Sequence, residues 1–120
     1  MVKKIALEEH FLDPGTMDYW RPTMVDVAPP KVAQLFDCLT DFGDRRLETM
    51  DKAGIAYAVL AIAGPGVQLE RDTATAVHKA RASNDFLAAE IQKRPDRYSG
   101  FAHLAMQDPK AAADELERCV

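Results

Sequence analysis

Two kinds of apolar pattern alternate along this chain. Lys3 to Glu9 has strand character, Ala56 to Ala63 (AYAVLAIA) is a nearly continuous apolar run, and Tyr98 to Ala105 (YSGFAHLA) is a weaker third. Continuous apolar runs suit parallel strands covered on both faces. Between and after them the spacing becomes helical. Arg45 to Ala53 turns Leu47 and Met50 to one side and ends at Gly54, the residue type that closes helices in a left-handed conformation. From Asp72 to Arg94, the residues Val77, Ala80, Asn84, Leu87, Ala88 and Ile91 share a face, with Asn84 the polar exception, and Pro95 stops the run. Asp108-Pro109 reads as an N-cap and first-turn proline of a last helix, whose inner face continues through Ala112, Leu116 and Val120.

The order is β-α-β-α-β-α, an α/β chain of about three β/α units around a parallel sheet. Two architectures compete: a small open doubly wound sheet, and the N-terminal portion of a TIM (β/α)8 barrel. A whole barrel takes about 250 residues, whereas this chain has 120. Yet the last helix stops at Cys119-Val120 without a closing glycine, and three strands leave an apolar edge bare. The expectation is a single domain, residues 1–120, forming the N-terminal part of a truncated barrel and poorly soluble alone. Residues 11–43, broken by Pro14, Gly15, Pro22, Pro29 and Pro30, are expected to be a long loop or lid after the first strand. A short helix over Pro30 to Thr40 would lie within it.

Charge and cysteine content remove several classes. Lys and Arg number 15 against 19 Asp and Glu, for a net charge of −4, so no nucleic-acid partner is expected. The longest mainly apolar stretch, Ile55 to Ala63, falls short of the ~20 residues that span a bilayer, and no membrane partner is expected either. Lys3 and Lys4 precede only three apolar residues before two glutamates, which is no secretory leader. Cys38 and Cys119 lie far apart with no CxxC, as two reduced thiols of a cytoplasmic protein would.

The candidate chemistry sits in Leu7-Glu8-Glu9-His10. Side chains alternate across a strand, so Glu8 and His10 would share a face, about 6.5–7 Å apart along the strand, with Glu9 turned away to a structural partner. An imidazole and a carboxylate at that spacing can lean onto one divalent cation, zinc or manganese, at ~2.0–2.2 Å. The carboxyl end of a parallel strand is also where barrel active sites are built. Tyr19 and Trp20 would wall an aromatic pocket in the lid, or pack the lid onto the sheet. His103 reads as a packed, hydrogen-bonded histidine, and Arg45, Arg46, Glu48, Asp51 and Lys52 as a solvated helix face. Gly64-Pro65-Gly66 matches no phosphate-binding loop.

Val2 to Phe11 (VKKIALEEHF) resembles the opening of the amidohydrolase-2 family, particularly its non-oxidative aromatic-acid decarboxylases, the γ-resorcylate (2,6-dihydroxybenzoate) decarboxylases among them. The likeness continues through Asp44-Arg45-Arg46-Leu47-Glu48-Thr49-Met50-Asp51, AYAVLAIA, Gly64-Pro65-Gly66-Val67-Gln68, Ala82-Ser83-Asn84-Asp85, Arg94-Pro95-Asp96-Arg97-Tyr98, and Gly100-Phe101-Ala102 to Gln107-Asp108-Pro109. Asp13 to Leu39 is least alike. The resemblance implies a metal-dependent (β/α)8 barrel, a homo-oligomer, that removes CO2 from a small hydroxylated aromatic acid without redox. By the same resemblance Glu8 and His10 are metal ligands, while Pro65 and Gln68 contact substrate. The remaining ligands and the catalytic groups are expected beyond residue 120. A metal-dependent hydrolase on the same scaffold, or a non-catalytic truncated remnant, are the alternatives.

Overall fold

The computed structural model describes residues 2–120. Its strands β1 (Lys4–Phe11), β2 (Ile55–Ile62) and β3 (Tyr98–Gly100) form one parallel sheet in the order β1-β2-β3. A helical excursion follows β1, comprising α1 (Met17–Trp20), a 3-10 turn (Arg21–Met24) and α2 (Pro29–Thr40). Then come α3 (Asp44–Ala53) before β2, a 3-10 turn (Gly66–Leu69) and α4 (Thr73–Lys93) before β3, and α5 (Pro109–Cys119) after it. Among the described residues no helix is long and apolar enough to cross a membrane.

Local chemistry sets the helix ends. Gly54 closes α3 at φ 70°, where a side chain would be strained, and its N–H reaches the carbonyls of Met50 and Asp51. The Asp72 carboxylate accepts from the Thr75 N–H at 2.8 Å to start α4, and Asp108 accepts from Ala111 at 3.0 Å to start α5.

Phe11, Met50, Ala58, Leu60, Leu87 and Tyr98 form the buried layer between the sheet and α3 and α4, joined by Ala6, Phe42 and Phe86. The Phe42 ring lies 5.7 Å from both Phe11 and Phe86, centroid to centroid. Ala6 and Phe11 both belong to this layer although five residues apart, which strict alternation forbids. The register supplies the reason: Ala6 pairs with Ala58 but Glu9 with Leu60, so β1 carries one extra residue across Leu7-Glu8. A bulge of this kind reverses the parity of everything beyond it. On the opposite face Ile5 and Leu7 are 61% and 63% exposed.

Two expectations need correction. The third strand ends at Gly100, not Ala105. Phe101 still donates to the Leu60 carbonyl at 2.9 Å. Beyond it, Asn84 takes both backbone groups of His103, accepting from its N–H at 2.7 Å and donating to its carbonyl at 2.9 Å. Side-chain bonds thus replace the ladder. In the segment 11–43, Phe11 belongs to β1 and the short helix expected over Pro30 to Thr40 is present as α2; the difference is that Met17 to Met24 is helical as well. Val32, Leu35, Phe36 and Leu39, at helical spacing, pack over Leu12, Trp20 and Ala63 as a separate apolar cluster.

Candidate functional site

Glu9 and Phe11 orient the end of β1. The Glu9 carboxylate lies 3.7 Å from Arg46 on α3, and Phe11 is buried in the sheet–helix layer. Alternation therefore turns Glu8 and His10, on either side of Glu9, to the face away from α3 and α4. Without the bulge, Glu8 and His10 would share the parity of Ala6 and point into the helix layer. Both residues are exposed, and neither side chain has a hydrogen-bond or ion-pair partner among the described residues. Glu8, Glu9 and His10 also border a cleft of about 280 Å³ along the unpaired edge of β1, lined further by residues of α2 and α3.

As a donor set, a carboxylate oxygen and an imidazole nitrogen suit manganese or zinc. They supply part of a coordination shell. Among the described residues no group of three or more His, Cys, Asp and Glu side chains forms a cation site.

The remaining sequence candidates are distributed differently. Trp20 is only 4% exposed and serves as core beside Leu12 and Ala63. It lines a groove of about 600 Å³ with Met24, Val32 and Phe36, which includes neither Tyr19 nor Glu8 and His10. The Tyr19 hydroxyl donates to Glu70 and accepts from Lys79 Nζ at 2.9 Å, and the same ammonium stands 4.4 Å above the Tyr19 ring. Burial and the Glu70 carboxylate push the Tyr19 hydroxyl pKa up against the opposing pull of Lys79. The Tyr19 hydrogen bond holds Glu70 below its ordinary value and Lys79 above its own. Pro65 stands in the loop after β2, at the strand end that carries His10, and the Gln68 amide donates to the Leu104 carbonyl at 2.7 Å.

That loop is held by a polar network which sequence reading only touched. His103 Nε2 accepts from the Val67 N–H at 3.0 Å, so the ring is a neutral acceptor there. Burial lowers the His103 pKa, with the Asp13 carboxylate acting against it. Asp13 is 3% exposed and fully engaged: it accepts from the Gly15 N–H at 2.9 Å, from Ser83 Oγ at 3.2 Å and from the Thr16 hydroxyl. Its signal was the turn-forming Asp-Pro-Gly-Thr. For Asn84 it was polarity on an apolar helix face. Arg46 is a correction: its side chain is 9% exposed and bonded to three backbone carbonyls, not part of a solvated face.

The Amidohydrolase family (Amidohydro_2) profile matches residues 12–120. The chain is 42% identical, over its whole length, to 36% of a gamma-resorcylate decarboxylase from Rhizobium sp. (strain MTP-10005). It superposes with a TM-score of 0.90, at 45% identity, on 35% of a dihydroxybenzoic acid decarboxylase from Polaromonas sp. JS666, a structure holding manganese and 2-nitroresorcinol. A 2,6-dihydroxybenzoate decarboxylase complexed with 2,6-dihydroxybenzoate gives a TM-score of 0.91 at 42% identity; all of this chain and 36% of that one are covered. The chain thus spans about a third of the length of these relatives.

Proposed function

Because the chain belongs to the amidohydrolase family, with its β/α units part of a TIM (β/α)8 barrel, we propose that it carries the first two metal ligands of a non-oxidative aromatic-acid decarboxylase. Glu8 and His10 would hold a divalent cation, manganese or zinc. The observation that carries this reading is their shared face: the bulge at Leu7-Glu8 turns both away from the helices while Arg46 occupies Glu9. Exposed, partnerless donors at the carboxyl end of a barrel strand are suited to a ligand rather than to packing.

The reaction is the replacement of a ring C–CO2⁻ bond by C–H. The ring carbon takes a proton, the carboxylate leaves as CO2, and no electrons are exchanged. A bound divalent cation supplies charge stabilisation and a fixed point for the substrate's oxygens. The chain's own residues contribute placement. Glu8 and His10 fix the centre of the site, and the loop from Gly64 to Leu69, held by His103, stands at the same end, where Pro65 and the Gln68 amide oxygen, its nitrogen being held by the Leu104 carbonyl, would meet a small hydroxylated aromatic acid. Such an enzyme would work as a cytoplasmic homo-oligomer.

The test uses the full natural product of the gene with Mn²⁺ and 2,6-dihydroxybenzoate, followed by CO2 release and resorcinol formation. Glu8→Gln and His10→Asn are expected to lose nearly all turnover, and a chelator should abolish it. Product without CO2 would point to the hydrolase, and wild-type turnover in both variants would remove the assignment.

A further inference from the structure

Arg46 stands in Asp44-Arg45-Arg46, the start of a charged helix, yet its side chain is 9% exposed. Nε donates to the Asp41 carbonyl at 2.7 Å, while Nη2 donates to the carbonyls of His10 at 2.8 Å and Cys38 at 3.0 Å. Nη1 lies 3.7 Å from the Glu9 carboxylate, and Cζ sits 5.7 Å from the centre of the Phe42 ring. The helix turn presenting this guanidinium is itself pinned, because Asp41 accepts from the Arg46 N–H at 2.7 Å.

The bond to His10 answers a specific deficit. In a parallel ladder alternate residues bond one neighbour. The Phe11 carbonyl accepts from the Ala63 N–H of the β2 end at 2.8 Å, so the His10 carbonyl points to the other side, where β1 has no strand partner among the described residues. Arg46 supplies the missing donor. The same group draws on the Glu9 side chain, between the two candidate ligands. One planar, rigid fork therefore grips residue 10 by its backbone and residue 9 by its charge, and ties both to the last turn of α2.

We propose that Arg46 is a positioning residue for the metal pair, a clamp on the outer side of β1 that fixes the facing of Glu8 and His10 on the inner side. This rests on the reading of Glu8 and His10 as ligands. Lysine keeps the charge but cannot span three carbonyls from one plane. Groups that orient metal ligands from behind change metal affinity by about 10–100-fold when removed.

The experiment titrates Mn²⁺ into the metal-free full-length product of the gene. Free Mn²⁺ is read by electron paramagnetic resonance, and thermal unfolding of the metal-free form is recorded in parallel. Arg46→Gln is expected to weaken Mn²⁺ binding at least about tenfold, and Arg46→Lys by an intermediate factor. Lys52→Gln, a change on the exposed face of α3, should match wild type. A merely structural role would lower the unfolding temperature while leaving the affinity of the folded protein unchanged, and that result overturns the clamp. Should Arg46→Gln fail to fold, Arg46→Lys decides: wild-type affinity refutes the proposal, weakened affinity supports it. Glu8→Gln and His10→Asn separate the two levels. If they bind Mn²⁺ as tightly as wild type, the ligand reading itself falls; if they bind weakly while Arg46→Lys does not, only the clamp falls.

Discussion

The His103 ring occupies the space that any side chain on Gly66 would need. A Cβ built on Gly66 would lie 2.6 Å from His103 Cε1, and the Gly66 backbone has φ +58°. Loop and ring are thus fitted to each other, with the Val67 N–H donating to His103 Nε2 from the next residue.

Gly66→Ala combines two penalties. A left-handed backbone costs a substituted residue roughly 1–2 kcal/mol, and the new methyl must displace the imidazole. A total loss of at least about 2 kcal/mol is expected from urea unfolding midpoints. Gly64→Ala is the contrast, since nothing lies within 4 Å of its Cβ position. It should change stability by no more than about 0.5 kcal/mol.

His103 makes stability fall on mild acidification. Burial holds its folded pKa below the ordinary 6.5, so below that pH the unfolded chain takes up the proton first. Its contribution is complete above pH 6.5 and declines as the pH drops toward the lowered folded value. Protonation would also end the ability of Nε2 to accept from Val67. Unfolding midpoints taken from pH 8 to pH 5 should show this decline in the wild type and a smaller one in His103→Gln. Equal slopes would show that the ring does not govern that range.

Glu115 acts in a lower window. The Arg118 guanidinium, with contacts of 2.7 Å from Nε and Nη2, together with Asn84, holds the Glu115 carboxyl at about 2, below its ordinary 4.5. Stability from this group is present above pH 4.5 and is lost as the pH falls toward 2. Glu115→Gln should cost about 1 kcal/mol at pH 7, since a partly solvated pair is screened. The difference from wild type should vanish near pH 2. A gap that persists there would assign the cost to packing instead.

Tyr19→Phe removes the hydroxyl shared by Glu70 and Lys79 and leaves the ring beneath the ammonium. A loss of about 1 kcal/mol is expected. Because the bond ties α1 to the turn before α4, limited trypsin digestion should cut sooner after Lys31, the first basic residue of the excursion not followed by proline. Unchanged cleavage would mean that Trp20 and the apolar cluster hold the excursion alone.

The correspondence between pattern and structure follows from how local each signal is. AYAVLAIA, the Gly54 stop, and the Asp72 and Asp108 caps depend on neighbours within a turn, and their elements lie within one or two residues of expectation. Asn84 was visible as a polar break in an apolar stripe, but its partner, the backbone of His103, was not. Arg46 could not be distinguished from Arg45 by spacing. Only the approach of three carbonyls, from β1, α2 and the turn between α2 and α3, makes one of them buried.

The chain's own letters determined its α/β class, its parallel order, its helix ends and the candidate pair at positions 8 and 10, because hydrophobic period and capping chemistry act over a few residues. Tertiary structure decided which way that pair faces. Alternation alone predicts that Glu8 and His10 share a face, but not which one. The extra residue between Ala6 and Glu9, imposed by pairing with β2 and by the burial of both Ala6 and Phe11, turns them away from the helix layer. A bulge is a relation between two strands, and no single strand's sequence contains it.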